Sequence, residues 1–268
     1  MSRSAFQAVF QSLLQPLDSP FLLLVLSVLV FWAAALLGAW FRKRSHRAND
    51  DHHGDFIFVL GSALTLLGLI IGFTFSMAVN RYDQRKNDEE QEANAISTLY
   101  VRADFLPAPA AANVRGLLTA YLDHRIYDYS VRDNRTLRLS DAQTLRLQSE
   151  LWSVVSRAAA AQPSVLTSLT VIAANDVLSS QGNTQAAWRN RIPHAAWTLL
   201  ALISIFCNLL VGYVALGRSA RLLLILPVVL SISLFLIADI DSPRGGGIIH
   251  VGPQNLESLA RSLHSQAP

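Results

Sequence analysis

The chain has 268 residues, of which 51% are hydrophobic and 15% charged, and its formal net charge at neutral pH is +3. The charged fraction lies well below the roughly 25% of an average soluble domain, and a mean hydropathy of +0.32 is high for such a domain. These values exclude an ordinary soluble enzyme, and the small net charge predicts no nucleic-acid partner. The single cysteine, Cys207, excludes a disulfide and a cysteine-based metal site within one chain.

Four apolar runs are long enough to cross a bilayer, whose hydrocarbon core takes roughly 20 helical residues. Because a lipid-facing backbone has to satisfy its own hydrogen bonds, each run is predicted to be helical. The four predicted crossings are residues 21–41, 56–79, 195–217 and 222–240. The fold class predicted from them is an all-α integral membrane protein with four transmembrane helices.

The residues before the first crossing contain only one basic residue, Arg3, and the crossing itself is long, so it is predicted to be a retained helix rather than a cleaved signal peptide. A short helix lying in the membrane interface is predicted ahead of Pro16, because apolar residues share one helical face there. They are Phe6, Val9, Phe10, Leu13 and Leu14. Residues 1–80 therefore hold this helix and the first two crossings.

The main polar part of the chain, residues 81–192, is predicted to form a helical extramembrane bundle inserted between the second and third crossings. The helix of the second crossing is predicted to continue to Phe105, and another helix to span residues 111–129. The remaining segment, residues 193–268, holds the third and fourth crossings and a C-terminal tail.

Two further helices complete the predicted bundle. One begins at an N-cap formed by Ser140-Asp141, runs to about residue 160 and buries Leu145. The next begins near Pro163 and buries Leu166 and Ile172, among others.

Basic residues are almost equally numerous on the two sides of the predicted crossings, so the positive-inside rule leaves the side of the bundle open. The predicted location is the cell membrane, as a multi-pass protein, with the bacterial inner membrane favoured.

The second crossing contains Gly72-Phe73, which an apolar turn separates from Arg81-Tyr82 at the membrane exit. This run resembles the second transmembrane helix of bestrophins, which also have four crossings and a helical domain between crossings two and three. Three later segments make the chain similar to the bacterial and plant family called bestrophin-like. They are Glu92-Ala93-Asn94-Ala95-Ile96, Asp104-Phe105-Leu106-Pro107 and Ile237-Ala238-Asp239-Ile240-Asp241-Ser242-Pro243-Arg244-Gly245.

The resemblance implies a homopentameric channel for chloride or other small anions. In bestrophins, side chains spaced four residues apart on the second helix line a narrow neck, and the matching positions here are Thr65, Leu69 and Phe73. Such a spacing keeps side chains on one helix face, and stacked apolar rings can gate a pore by dewetting. Thr65 departs from the apolar pattern and would make its ring wetter. The alternative is that Leu69 and Phe73 only pack against neighbouring helices.

Gly68 and Gly72 form a pair of small residues four apart, a spacing that allows another helix to approach closely. Arg81 has two interpretations. It either anchors the end of the second crossing at the headgroups or attracts anions to the mouth of a pore.

Asp239 and Asp241 follow the fourth crossing, where bestrophins carry an acidic segment that takes part in Ca²⁺ binding. Two acidic residues are few for such a site, so a contact that tethers the tail to the bundle is favoured. No cofactor is predicted, and Ca²⁺ is the one alternative left open. A loop cluster could hold a transition metal, but adjacent histidines in a polar loop are usually solvated, and no metal site is predicted. The cluster comprises Asp50, Asp51, His52, His53 and Asp55.

Two functions remain open on the sequence. The first is the oligomeric anion channel with a pore lined by the second crossing. The alternative is a non-conducting membrane module whose helical domain binds a protein partner. No enzyme is predicted, because the chain contains no phosphate-binding loop, dinucleotide fingerprint or metalloprotease motif.

Overall fold

A computed structural model describes residues 20–45, 53–131, 133–214, 222–242 and 247–265. These residues form eight α-helices and two short 3-10 helices, and no strand occurs among them. The α-helices are α1 (Pro20–Ser45), α2 (His53–Arg102), α3 (Ala108–Ser130), α4 (Asn134–Ala161), α5 (Val165–Arg189), α6 (His194–Val214), α7 (Ile225–Asp241) and α8 (Gln254–Ser265). The 3-10 helices are Ala103–Phe105 and Leu222–Leu224. The expectation of an all-α protein is therefore confirmed for the described residues.

The chain divides into two compact units. Unit 1 comprises Met1–Asn80 and Arg191–His250, and unit 2 comprises Arg81–Asn190 and Val251–Pro268. Unit 2 thus takes in residues 81–190 of the predicted bundle, 81–192, and the end of the tail.

Among the described residues, three helical stretches each include a part that is long and apolar enough to cross a membrane. They are Pro20–Arg44, Gly54–Phe105 and Val165–Val214. The first two stretches contain the predicted crossings 21–41 and 56–79, and the third contains residues 195–214, the described part of the predicted crossing 195–217. The helix within the fourth predicted crossing, α7, has 17 residues, which is slightly shorter than the length that a spanning helix usually needs.

Helices α1 and α6 of unit 1 are in unusually close contact. A Cβ atom placed on Gly38 would lie 2.0 Å from the carbonyl oxygen of Leu209, and one placed on Gly212 would lie 1.8 Å from that of Ala35. Because only hydrogen atoms occupy these positions, the two backbones touch directly, as small residues allow in membrane helices. Ala34 and Ala35 are fully buried along the same helix.

Unit 2 has a core of apolar side chains from α2, α3, α4, α5 and α8. Leu118 and Leu122 of α3, Val155 of α4 and Val177 of α5 are each completely buried. Helix α8 belongs to this core because its apolar face, which includes Leu256, is buried.

A buried network of charged side chains lies within the core of unit 2. Arg125 of α3 donates hydrogen bonds to the carboxylates of Glu92 on α2 and Asp128 one turn further along α3. Tyr121 and Thr184 donate to Glu92 as well, at 3.3 and 3.1 Å. Burial alone would lower the pKa of Arg125, but the adjacent Glu92 raises it overall, so the guanidinium stays charged.

Two details of the prediction for helix α4 are wrong. Helix α4 begins at Asn134 with Asp133 as its N-cap, seven residues before the predicted cap, and the Ser140 hydroxyl instead donates to Asp128. Leu145 is exposed rather than buried. The second error is one of helical face, because Leu145 lies about 120° around the helix from the buried Leu151.

On α5, Leu166 and Ile172 are also exposed, against expectation, whereas Val177 is buried. The predicted interfacial helix near the N-terminus and the loop residues Asp50, Asp51 and His52 lie outside the described residues.

Candidate functional site: the exposed stripe of helix α2

Within unit 1, helix α2 buries only one narrow side, and most of the remaining circumference is exposed, including Leu66 and Phe75 outside the stripe defined below. Leu67, Thr74 and Ala78, which recur at the spacing of one helix face, are buried. Each residue of an α-helix is rotated by about 100° from the last, so Leu69 lies about 200° around the helix from Leu67. The residues on this far side are all exposed and are called the exposed stripe below: Phe58, Ser62, Thr65, Leu69, Phe73, Ser76 and Asn80.

The structure places the three predicted neck residues together on the exposed stripe. Leu69 is 54% exposed and Phe73 is 64% exposed, and Thr65 is exposed one turn earlier. The Thr65 hydroxyl donates to the carbonyl oxygen of Gly61 at 2.9 Å. None of the three side chains is buried by packing within this chain, so the alternative that they are simple packing residues would require a second molecule.

Gly68 and Gly72 lie at the edge of the exposed stripe. A Cβ atom on either residue would meet no atom of the chain within 4 Å. Among the described residues, no other helix approaches them closely, so the helix contact predicted for Gly68 and Gly72 stays a prediction. The close approach that does occur involves Gly38 and Gly212.

Arg81 lies on the packed side of α2 by its helical register, 14 residues after Leu67. Its guanidinium donates a hydrogen bond to the side-chain oxygen of Asn190, the residue that caps the C-terminal end of α5. Within unit 2, this contact joins Arg81, the first residue of the part of α2 that belongs to this unit, to the end of α5. This contact is a third role that the sequence did not suggest, and both interpretations of Arg81, headgroup anchoring and anion attraction, stay predictions.

Asp239 and Asp241, at the end of α7, are buried and accept hydrogen bonds from the backbone. The Asp239 carboxylate accepts from the N–H groups of Ile248, at 3.0 Å, and Ile249, at 2.8 Å. The Asp241 carboxylate accepts from the N–H of Ile192 at 3.1 and 3.2 Å. Both residues therefore hold chain segments that are distant in sequence against the end of α7.

The position of Gly247 follows from the Asp239 contact. A Cβ atom on Gly247 would lie 1.2 Å from a carboxylate oxygen of Asp239, so only glycine allows the tail to pass this close. The Asp239 carboxylate and the tail are thus fitted to one another.

The carboxylates of Asp239 and Asp241, at the end of α7, are occupied by backbone N–H donors. Ca²⁺ takes six to eight oxygen ligands, whereas the carboxylates of Asp239 and Asp241 face backbone N–H donors. In the part of the chain that the structure describes, no group of three or more His, Cys, Asp or Glu side chains is arranged to hold a metal ion.

Comparison with known proteins identifies the family. The family model of the Bestrophin-like domain matches residues 29–256 of this chain. The chain belongs to the bestrophin-like family. The resemblance inferred from the second crossing and the later segments is thereby confirmed, and bestrophin-like membership together with the apolar helices makes the chain a membrane protein.

Solved structures of bacterial bestrophin homologs share the fold. A bacterial bestrophin homolog from Klebsiella pneumoniae, solved as a tyrosine-to-alanine mutant, is 13% identical with a TM-score of 0.67, covering 90% of this chain and 98% of that chain. Another structure of a Klebsiella pneumoniae homolog, phased on zinc, is 16% identical with a TM-score of 0.65, covering 92% and 99%. No protein in the search of curated sequences matches.

Several residues that shape this bestrophin-like chain were not singled out from the sequence. Gly38 and Gly212 set the contact of α1 with α6, and Glu89 of α2 accepts hydrogen bonds from the N–H groups of Asn255 and Leu256, both at 2.9 Å. The run of alanines before Gly38 was a signal for the first feature, because small residues in a membrane helix mark close packing. Local pattern gave no signal for Glu89.

Proposed function

We propose that the chain is one subunit of an oligomeric ion channel whose pore is lined by the exposed stripe of α2. The observation that carries the proposal is that this stripe is left unpacked by the chain yet contains hydroxyl and amide side chains at Ser62, Thr65, Ser76 and Asn80. Polar side chains in a membrane helix ordinarily face a protein interior or a water-filled cavity rather than lipid.

The neck of the proposed pore is formed by Leu69 and Phe73. Residues four apart lie about 6 Å apart along a helix axis, so symmetric copies of α2 would stack a leucine ring and a phenylalanine ring at that distance. A third ring at Thr65 would be wetter, because its hydroxyl keeps an acceptor lone pair while donating to Gly61. Two adjacent apolar rings are a constriction suited to gating by dewetting.

Family membership supports a pentamer of chains that each cross the membrane four times, with α7 as the fourth crossing. Gly68 and Gly72 are then suited to the contact between neighbouring subunits, since they leave open space beside α2. Replacing Gly72 with Leu should lower the oligomer mass measured by native mass spectrometry. A Gly116→Leu control, at another helical glycine with open space around it, should leave the mass unchanged.

Chloride or another small anion is the proposed ion. Along the described part of α2 within unit 1, the exposed stripe holds no acidic or basic residue. A weakly binding anion needs only partial positive charges, such as the amide hydrogens of Asn80, and charged rings would hold it too tightly. The hydroxyl hydrogens of Ser62 and Thr65 are donated to backbone carbonyls and do not contribute. In this proposal Arg81 holds α2 to Asn190 and is not part of the ion path.

The test is the current through purified protein in a planar bilayer under a KCl gradient. A reversal potential near the chloride equilibrium supports the anion channel. A reversal near the potassium value keeps the pore but refutes the ion assignment. Silence from verified, oriented protein across voltage, pH and Ca²⁺ would contradict the channel and favour the interaction module.

A pair of phenylalanines on α2 tests the pore lining. Phe73 and Phe75 are both exposed, but they lie about 200° apart around the helix. Phe73→Ala should widen the neck and raise the single-channel current, whereas Phe75→Ala should leave it close to wild type. Equal effects of the two substitutions would contradict the assignment of the stripe as the pore face.

A further inference from the structure

The C-terminal end of α1 combines aromatic and basic side chains. The last residues of this apolar helix are Trp40, Phe41, Arg42, Lys43 and Arg44, followed by Ser45. Trp40 and Phe41 are each about half exposed, and their rings lie 5.1 Å apart at an angle of 65°. An aromatic pair with this exposure, next to three consecutive cations, is typical of a helix that leaves the hydrocarbon at the headgroup level.

The three cations have different surroundings. Arg42 is 9% exposed, and its guanidinium lies 5.2 Å from the centre of the Tyr213 ring. Tyr213 in turn contacts the Phe56 ring, with centroids 4.7 Å apart. Arg42 is therefore part of the packing between α1 and α6, whereas Lys43 and Arg44 are exposed.

Arg44 is held over an exposed ring. Its guanidinium carbon lies 5.5 Å from the centre of the Trp40 indole, a distance at which the cation is attracted to the ring face. The contact positions the guanidinium but leaves its outward hydrogens available, because a ring face takes no directed hydrogen bond from all five donors. A planar guanidinium positioned in this way is well suited to bind phosphate oxygens.

We propose that Lys43 and Arg44, of which Arg44 lies over the Trp40 ring, bind the phosphate of an anionic phospholipid headgroup. Basic residues next to a membrane helix attract anionic lipids, and the half-exposed rings of Trp40 and Phe41 lie against the upper acyl chains of the same lipid. The partner follows from charge complementarity and from the position at the end of an apolar helix. The proposal requires membrane insertion of α1 and does not depend on ion conduction.

A simpler role explains part of the pattern. Cations in the last turn of a helix stabilise it through interaction with the helix dipole, and this would apply to Lys43 and Arg44 in any solvent. The dipole interaction does not discriminate between lipid headgroups, however. Lipid selectivity therefore separates binding of a headgroup from helix stabilisation.

The experiment measures lipid binding to the purified full-length protein by native mass spectrometry, with phosphatidylglycerol and phosphatidylcholine of the same acyl chains. Each basic residue near the surface contributes roughly a fivefold preference for an anionic headgroup. For the most tightly bound lipid molecule, the wild type should therefore prefer phosphatidylglycerol to phosphatidylcholine by about 25-fold. The variant Lys43→Gln/Arg44→Gln should lose this preference while binding phosphatidylcholine as before.

Two control variants complete the design. The exchange Lys43→Arg/Arg44→Lys keeps both charges and should retain most of the preference. Arg138→Gln/Arg157→Gln removes two exposed cations from α4 and should leave the preference unchanged. Thermal midpoints in detergent show whether each variant is folded.

Three outcomes would overturn the proposal. These are a wild type without preference for phosphatidylglycerol, a glutamine variant that keeps the preference, and a preference abolished equally by the α4 control. Competition by inorganic phosphate at constant ionic strength would show a site for the free anion and would also refute the lipid assignment.

Discussion

Replacing Gly38 with alanine should force α1 and α6 apart. The new Cβ atom would lie 2.0 Å from the Leu209 carbonyl oxygen and 2.9 Å from the Tyr213 backbone nitrogen. Both atoms belong to the backbone of α6, so no side-chain rotation can relieve the contact.

The size of the effect follows from these distances. Ordinary contact begins near 3.4 Å, so the helices must separate locally by about 1.4 Å. Overpacking by one methyl group costs about 1–3 kcal/mol, and a gap of this width also removes a large part of the dispersion attraction between the atoms around it. We expect the free energy of unfolding to fall by about 3 kcal/mol relative to a control glycine.

The control is Gly61→Ala in α2, where a Cβ atom would meet nothing within 4 Å. Because alanine has a higher helix propensity than glycine by up to about 1 kcal/mol, the control removes that contribution from the comparison. The assay is equilibrium unfolding of purified protein in mixed micelles of increasing dodecyl sulfate content, followed by circular dichroism.

The double variant adds a second check. Once alanine at Gly38 has separated the helices, alanine at Gly212 has less contact left to disturb. The double variant should therefore lose less unfolding free energy than the sum of the losses in the two single variants. The reasoning is refuted if Gly38→Ala and Gly61→Ala differ by less than about 0.5 kcal/mol.

Three further predictions concern the bundle and the tail. Arg125→Met should destabilise unit 2 by about 3–5 kcal/mol in chemical denaturation, because it leaves two buried carboxylates without their cation. Arg146→Met removes an exposed ion pair and should leave the free energy of unfolding almost unchanged. Hydrogen bonds from the Thr136 hydroxyl and backbone lower the pKa of Asp133 below 3.8. The Asp133 carboxylate therefore stabilises α4 above pH 3.8, and this stabilisation is lost as the pH falls through the lowered pKa. Asp133→Asn should remove this pH dependence of the thermal midpoint, and a variant that keeps it would show that another group is responsible. Gly247→Ala should release the tail from α7, seen as faster amide exchange at Ile248, and unchanged exchange would contradict the fit of Gly247 to its carboxylate partner.

The membrane helices were predictable because hydropathy and length are local properties of a sequence. The run 21–41 lies within α1, Pro20–Ser45, and the expected continuation of the second crossing into the bundle appears as the single helix α2, His53–Arg102. The neck assignment of Leu69 and Phe73 also depends on local spacing, and the structure brings the two residues to one stripe. Their role in conduction stays a prediction.

What the sequence did not provide is the pairing of distant segments. Neither the Arg125 network with Glu92 nor the capping of α8 by Glu89 leaves a periodic pattern, because each depends on which helices become neighbours. The start of α4 was misplaced for a different reason. Asp133 and Ser140 are both good N-cap residues, and only the hydrogen bonds of Asp133 to the following backbone distinguish them.

The contact between Gly38 and Leu209 can form only some time after α1 has been synthesised, because α6 comes later in the chain. The two residues are separated by about 170 positions in the chain, and translation proceeds at about 5–20 residues per second. The small-residue surface of α1 is therefore made roughly 10–30 s before its partner helix leaves the ribosome. During that interval the surface can be protected only by lipid, an insertion factor or a premature neighbour, so slowing the ribosome between the two helices should increase misassembly.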